Sequence, residues 1–257
     1  MALLAEPRFI GVEPGTPLFF ELQRRIIAER PLLRESYDLW YRLLLEDESS
    51  VASDRAGLLV ELGSGGGYLK DLCPSVITTD VAEGVAEHVV DGRDLPFADA
   101  SVRALFMTHV FHHIPSVEAF LDEAARVLVP GGVIAMIEVP HTPFARVFFR
   151  RFHPEPYDDR APSWGFEQSH SMLDANQALS WNVFFRDRVR FAQRFPQLVL
   201  ERADFLPWLG YLLSGGVTRR NLIPPFMVPI LRRSDRWLRP TEQWMALHWH
   251  LRVRKGG

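Results

Sequence analysis

Three glycines at alternate positions, Gly63, Gly65 and Gly67, follow an apolar run over residues 58–62 that carries a single acid, Glu61. Such a run reads as a strand buried on both faces, and glycines so spaced let backbone pass close to a ligand without a Cβ in the way. The chemistry this serves is the holding of a nucleoside cofactor, with Glu61 and Ser64 beside it. Two cofactor classes use such a turn. In the dinucleotide fingerprint a third glycine falls five positions after the first, and here that position is Tyr68. Asp80 ends a second apolar run, where a carboxylate can accept both hydroxyls of a ribose. A carboxylate there also fits nicotinamide enzymes, so Asp80 alone does not discriminate.

The elements that must position these groups alternate along the chain. Apolar residues at helical spacing over 18–45, broken at Pro31, predict two helices that act as a lid, followed by a polar connector over 46–57. Strands are expected at 58–62, 76–79, 89–90, 104–108 and 133–138, with helices at 66–72 and 116–128. Ser116 suits the N-cap of the second of these and Glu118 its first turn. The segment between the second and third strands is too short for more than a turn. Residues 141–170 contain several prolines, histidines and aromatics with little periodicity and read as a loop-rich insertion; a helix over 171–195 and strands at 198–201 and 243–254 follow. Alternation of this kind implies a parallel sheet, whose ligand sits at the carboxyl ends of its strands.

Glu61 with the glycines, E-x-G-x-G-x-G, resembles motif I of the class I S-adenosylmethionine-dependent methyltransferases. Three further segments stand in that family's order: Asp91-Gly-Arg-Asp94-Leu95-Pro96-Phe97, the His112-His113 pair, and Arg126-Val-Leu-Val-Pro130-Gly131-Gly132. The resemblance covers about residues 57–139. It implies an α/β, Rossmann-like, seven-stranded and mostly parallel sheet with helices on both faces and an antiparallel last strand. It also implies that Gly63, Gly65 and Gly67 pass beneath S-adenosylmethionine, that Asp80, followed by Val81, holds the ribose, and that Asp91 faces the adenine amino group. Gly92 would offer backbone to the ring, although the family more often has alanine there. Thr108, His109 and Val110 would line the methionine portion. A looser, whole-chain resemblance rests on Asn176-Gln-Ala-Leu-Ser-Trp181, Phe184-Phe-Arg-Asp187-Arg188, Tyr211-Leu-Leu-Ser-Gly215-Gly216 and His153-Pro-Glu155-Pro. It points to a bacterial methyltransferase subgroup associated with surface polysaccharide synthesis. In that reading Asn176 either starts a helix or reaches the acceptor.

Methyl transfer needs an in-line nucleophile, and a general base only where the acceptor carries a proton of high pKa. The candidates for that base are His113, Glu138, His141, His153 and Glu155. The acid, imidazole and ring faces of the 141–170 insertion suit a polar, ring-bearing acceptor such as a sugar, with methylation on oxygen favoured. No metal is expected: His109 and His113 stand four apart but leave a strand end, and no H-E-x-x-H accompanies them.

Composition narrows the remaining classes. The formal charge of −3 leaves no footprint for nucleic acid, although the C-terminal end is locally basic from Arg232 to Lys255. A single cysteine, Cys73, excludes an internal disulfide and suits a reducing compartment. The chain shows no leader pattern, and no apolar run approaches the ~18 residues of a membrane span. A cytoplasmic enzyme is therefore expected, although residues 205–213 and 226–231 are apolar enough to touch a membrane surface or a lipid-like acceptor. The sequence carries no signal for oligomeric state. The expected organisation is a helical lid over 1–56, a cofactor-binding core over 57–140, a substrate-side cap over 141–197 and completion of the sheet over 198–257. The expected activity is methyl transfer to a small or glycan-linked acceptor, against a non-catalytic cofactor-binding scaffold or an NAD-dependent oxidoreductase.

Overall fold

The strand β1 (Leu58–Leu62) is apolar on both sides because it lies in the interior of a sheet covered on both faces. The computed structural model describes residues 5–52, 54–169, 172–221 and 223–257. In it β1 joins β2 (Val76–Asp80), β3 (His88–Val89), β4 (Val102–Thr108), β5 (Leu128–Glu138), β6 (Leu198–Phe205) and β7 (Trp249–Lys255) in one seven-stranded sheet of order β3-β2-β1-β4-β5-β7-β6. The first five are mutually parallel, and β7 runs antiparallel to both β5 and β6. The expected fold class is thus the observed one. Strand order reverses between β1 and β4, which makes the carboxyl ends of that pair the crevice where such sheets bind ligands.

Side chains alternate across the sheet with the strand period of two. Leu105 and Met107 of β4 point to the face covered by α4 (117–127), where they meet Phe120, Leu121 and Ala124. Ala104 and Phe106 point to the other face and meet Trp40, Tyr41 and Leu44. Those three belong to α2 (Pro31–Ser49), which follows α1 (Pro17–Glu29) across the break at Pro31. The expected lid therefore divides into two roles. α2 is a layer of the core, whereas α1 lies across the glycine turn: Arg24 Nη1 donates to the Gly67 carbonyl, and a Cβ on Gly65 would meet the Phe20 ring at 3.2 Å.

Several boundaries differ from the sequence expectation for identifiable reasons. α2 continues to Ser49, so the connector expected from Glu46 starts later; Asp47 is buried there by partners from β7. α3 (Leu69–Leu72) is shorter than the helix expected from residue 66, since Gly66 packs against the backbone of α1, where a Cβ would stand 2.7 Å from the Phe20 carbonyl oxygen. The loop-rich insertion contains a regular helix, α5 (Pro143–Phe152). Thr142 caps it, its Oγ1 accepting from Ala145 N at 3.1 Å, and Pro143 occupies the first turn, a start signal that the surrounding prolines obscured. The helix expected over 171–195 is broken into α6 (Leu179–Trp181), a π-helical turn Asn182–Arg186 and α7 (Arg188–Arg194); its expected first residue, Ser171, lies outside the described residues. Asn176 is turned toward its own loop, with Oδ1 accepting from Asp158 N at 2.9 Å and from Ala178 N at 3.0 Å. The strand expected from residue 243 begins only at Trp249, after a helical turn Glu242–Met245.

Candidate active site

The glycine turn closes on neighbours that leave no room for side chains. Gly63 has φ +63°, and a Cβ on it would lie 2.5 Å from Val110 Cγ2. Ser64 N donates to the Thr79 carbonyl at 2.9 Å, and Gly67 N to the Ser64 carbonyl at 2.8 Å, which locks the turn onto the end of β2. Asp80 ties the same two elements together: its Oδ2 accepts from Gly65 N at 3.0 Å and its Oδ1 from Ala82 N at 2.9 Å. Each oxygen retains a further lone pair toward the crevice, and burial raises the carboxyl above its ordinary pKa. Val81 beside it is exposed, an apolar surface at the place where a nucleoside ring would lie.

Glu61 is 3% exposed beneath the turn. Burial, with a smaller contribution from the Asp80 charge, pushes its carboxyl up to about 8. A carboxyl raised in the folded state stabilises the fold below its unfolded pKa, and that stabilisation is lost as pH rises through the folded value. Glu61→Gln, which mimics the protonated form, should therefore gain on the parent between about pH 4.5 and 8, by up to roughly 5 kcal/mol. Urea unfolding at the two ends of that range checks this, and parallel stability curves for the two proteins would refute it.

Asp91 and Gly92 form a turn before Leu95. The Asp91 carboxylate is held low by the Arg93 guanidinium, with Arg93 Nη2 at 2.6 Å, so an adenine amino group would have to share it. At the end of β4, Thr108 Oγ1 and His109 Nε2 are buried without hydrogen-bond partners among the described residues. His109 also has φ +60°, a conformation that costs a non-glycine residue energy, and its N–H is anchored to the Ile137 carbonyl at 2.9 Å. Strain and unmet polar atoms of this kind concentrate at functional sites.

Beside this point the carboxyl ends of β4 and β5 bring a polar cluster together around His112, which the sequence reading named only within the His112-His113 pair and gave no role of its own. Its Nδ1 lies 2.7 Å from Glu138 Oε2, and Glu138 Oε1 accepts from Phe111 N at 2.9 Å. Burial opposes a charge on His112, but Glu138, with help from Glu155, raises it to about 10; burial would raise Glu138, and His112 holds it low instead. Glu155, carried in by the His153-Pro-Glu155-Pro segment, places Oε2 3.5 Å from His112 Nε2, 3.8 Å from His113 Nε2 and 3.8 Å from His153 Nδ1. Desolvation would raise Glu155, yet these imidazoles bring it down to about 2. Four of the candidate bases, His113, Glu138, His153 and Glu155, are thus neighbours. His141 is held differently: its Nε2 lies 2.9 Å from Asp159 Oδ2 and its ring stacks on Trp181, while Asp159 lines a surface groove with Arg160 and Arg186. His248, also unforeseen, is buried against His109 and Trp40, with ring centroids 4.8 Å away in each case. An adjacent His-His pair marks this region in the sequence, but which ring turns inward depends on Glu138 across the sheet.

Residues 60–136 match the family described as a methyltransferase domain. Over 66 residues the sequence is 38% identical to demethylmenaquinone methyltransferase of Tropheryma whipplei, in strains Twist and TW08/27 alike, a stretch that makes up 24% of this chain and 28% of each relative. The chain thus spans little more than a quarter of the length of these curated relatives. A solved structure of geranyl diphosphate methyltransferase in complex with SAM superposes with a TM-score of 0.51 at 15% identity, covering 91% of this chain and 90% of that one. A geranyl diphosphate C-methyltransferase from Streptomyces coelicolor A3(2) gives 0.48 at 14% identity over 92% and 86% of the two chains. The matched segment runs from β1 into β5 and carries the glycine turn, so this part of the chain is similar to a methyltransferase domain.

Proposed function

We propose that the protein moves a methyl group from S-adenosylmethionine to an oxygen of a small or glycan-linked acceptor. The observation that carries this reading is the set of unsatisfied groups at the β1/β4 switch point. Thr108 Oγ1 and His109 Nε2 lack partners among the described residues, beside a glycine turn whose far end is bonded to Asp80. These suit the polar atoms of the methionine portion and the ribose, with Val81, Asp91 and Gly92 on the adenine side. When bound, the donor supplies an electrophilic sulfonium methyl. The residues of the chain then have to align the acceptor oxygen with it and take up the acceptor's proton. The cluster of His113, His153 and Glu155 stands next to His112 on the acceptor side, partly open to solvent, and is suited to both tasks.

Within residues 1–56, α1 covers the crevice on one side, with residues 141–197 on the other; residues 57–140 form the cofactor core, against which α2 packs, and residues 198–257 the rest of the sheet. A cytoplasmic location fits a chain in which, among the described residues, no helix is long and apolar enough to cross a membrane. The exposed Phe226, Ile230 and Trp237 favour an acceptor presented near a lipid surface, as in assembly of a surface polysaccharide. In the basic C-terminal end Arg232 pairs with Glu35 and Arg254 with Glu201, which favours a solvated, paired face over a polyanion site.

Calorimetry with S-adenosylhomocysteine and with NAD, side by side, tests the cofactor. Binding of NAD alone would overturn the proposal. Asp80→Ala is expected to weaken S-adenosylmethionine by ~1 to 3 kcal/mol through lost charge-assisted ribose bonds, and unchanged affinity in the folded variant would count against the assignment.

A further inference from the structure

We propose that His112, His113 and Glu155 bind a divalent first-row transition-metal ion, through the two imidazole Nε2 atoms and one carboxylate oxygen. The three ligand atoms lie within 4.8 Å of one another, with Glu155 Oε2 3.5 Å from His112 Nε2 and 3.8 Å from His113 Nε2. Ligands bonded at ~2.1 Å to one ion stand about 3.0 to 3.4 Å apart, so the two carboxylate–imidazole distances exceed that span by only a few tenths of an ångström, and side-chain rotation of the two imidazoles closes the rest. Two imidazoles and a carboxylate are the donor set of Zn(II) hydrolases and of non-haem Fe(II) sites. The sequence expectation of no metal considered His109 with His113; the fold instead turns the adjacent pair toward a carboxylate brought from the insertion.

Outer partners already orient both rings as metal-binding histidines are oriented. His112 Nδ1 bonds the buried Glu138 carboxylate at 2.7 Å, and His113 Nδ1 lies 3.1 Å from the Asp174 carbonyl. Each Nδ1 is thereby committed as a donor, so a metal ion that displaces the proton from His112 Nε2 meets both Nε2 lone pairs beside Glu155. Facing these acceptors is the amide of Gln177, whose Nε2 lies 3.1 Å from His112 Nε2 and also donates to Glu155 Oε2, while its Oε1 is buried without a partner among the described residues. Turning that amide over brings Oε1 to the same point as a fourth oxygen ligand. Charge agrees as well. Glu138 and Glu155 place two carboxylates around His112, and a divalent cation that displaces the His112 Nε2 proton takes over the balancing of that charge.

His113 and His153 are partly exposed, so the remaining coordination positions open toward solvent. An acceptor hydroxyl bound there would become more acidic and release its proton to water. This role rests on the methyl-transfer reading, whereas metal binding itself does not.

The test uses the full chain stripped with chelator and titrated with Co(II), followed by its visible d–d absorption, and with Zn(II) by calorimetry. One equivalent of either is expected, with His113→Ala and Glu155→Gln each weakening the affinity on the order of 100-fold and Glu138→Gln about tenfold. His88→Ala, which removes an exposed histidine on the sheet edge, should bind as the parent does. Circular dichroism checks that each variant is folded, and Glu155→Gln preserves side-chain volume should His113→Ala fail to fold. No Co(II) uptake, or equal loss in His88→Ala, would overturn the metal site. S-adenosylhomocysteine titrated into the same samples separates the two readings: its binding without metal uptake leaves methyl transfer standing, and metal uptake without its binding does the reverse.

Discussion

Glu138→Ala should lower the unfolding free energy by about 3 to 5 kcal/mol, the usual cost of removing one partner from a buried ion pair. The carboxylate is fully buried, and His112 beside it is only 2% exposed. Its removal leaves the His112 Nδ1 and the Phe111 N–H, which now lie at 2.7 and 2.9 Å from its two oxygens, without acceptors in a site that water does not reach. Glu138→Gln keeps an oxygen for Phe111 and an acceptor of similar shape, so its loss should be the smaller. Denaturant unfolding of the three proteins checks the order, and a loss below about 1 kcal/mol for Glu138→Ala would mean that the pair contributes little. Because the same pair fixes the orientation of the whole cluster, Glu138→Ala is also expected to abolish transfer to any acceptor for which the parent shows turnover.

Asp47→Ala should be comparably damaging, again by about 3 to 5 kcal/mol. Asp47 is wholly buried at the end of α2 and receives His250 Nε2 at 2.7 Å and Arg252 Nη1 at 3.1 Å from β7, with Arg202 Nη1 of β6 at 3.4 Å. A helix of the N-terminal segment is thereby fastened to the last two strands. Truncation leaves cationic and imidazole groups facing a vacated hole, whereas Asp47→Asn retains an acceptor for His250 and should cost less. Thermal unfolding distinguishes the outcomes; an unchanged midpoint for Asp47→Ala would show that water or the neighbouring Glu201, 3.1 Å from Arg252 Nε, replaces the carboxylate at little cost.

The two residues illustrate different limits of a sequence reading. Glu138 is visible as an acid at the end of an apolar strand, and the parallel-sheet argument puts it at the ligand end. Its task of holding His112 is not visible, because the two are 26 residues apart and follow different strands, His112 standing in the helical turn after β4 and Glu138 at the end of β5. Asp47 lies in a polar stretch that reads as a connector, since its partners come from more than 150 residues away. α5 is a different case: Thr142 followed by Pro143 is a local start signal, overlooked among the other prolines of the insertion.

What the sequence by itself determined was local: the alternation of buried runs and helical stretches, hence the parallel sheet, and the glycine turn with Glu61 before it and Asp80 after it. Those features follow from backbone sterics and from the period of burial, which neighbouring residues encode. The tertiary structure alone decided which histidine turns inward, that Glu155 of the insertion reaches it, and that α2 is core rather than cover. Each depends on two carboxylate or apolar surfaces from distant segments sharing one buried space, and the energy of desolvating them is set by that meeting and not by either segment.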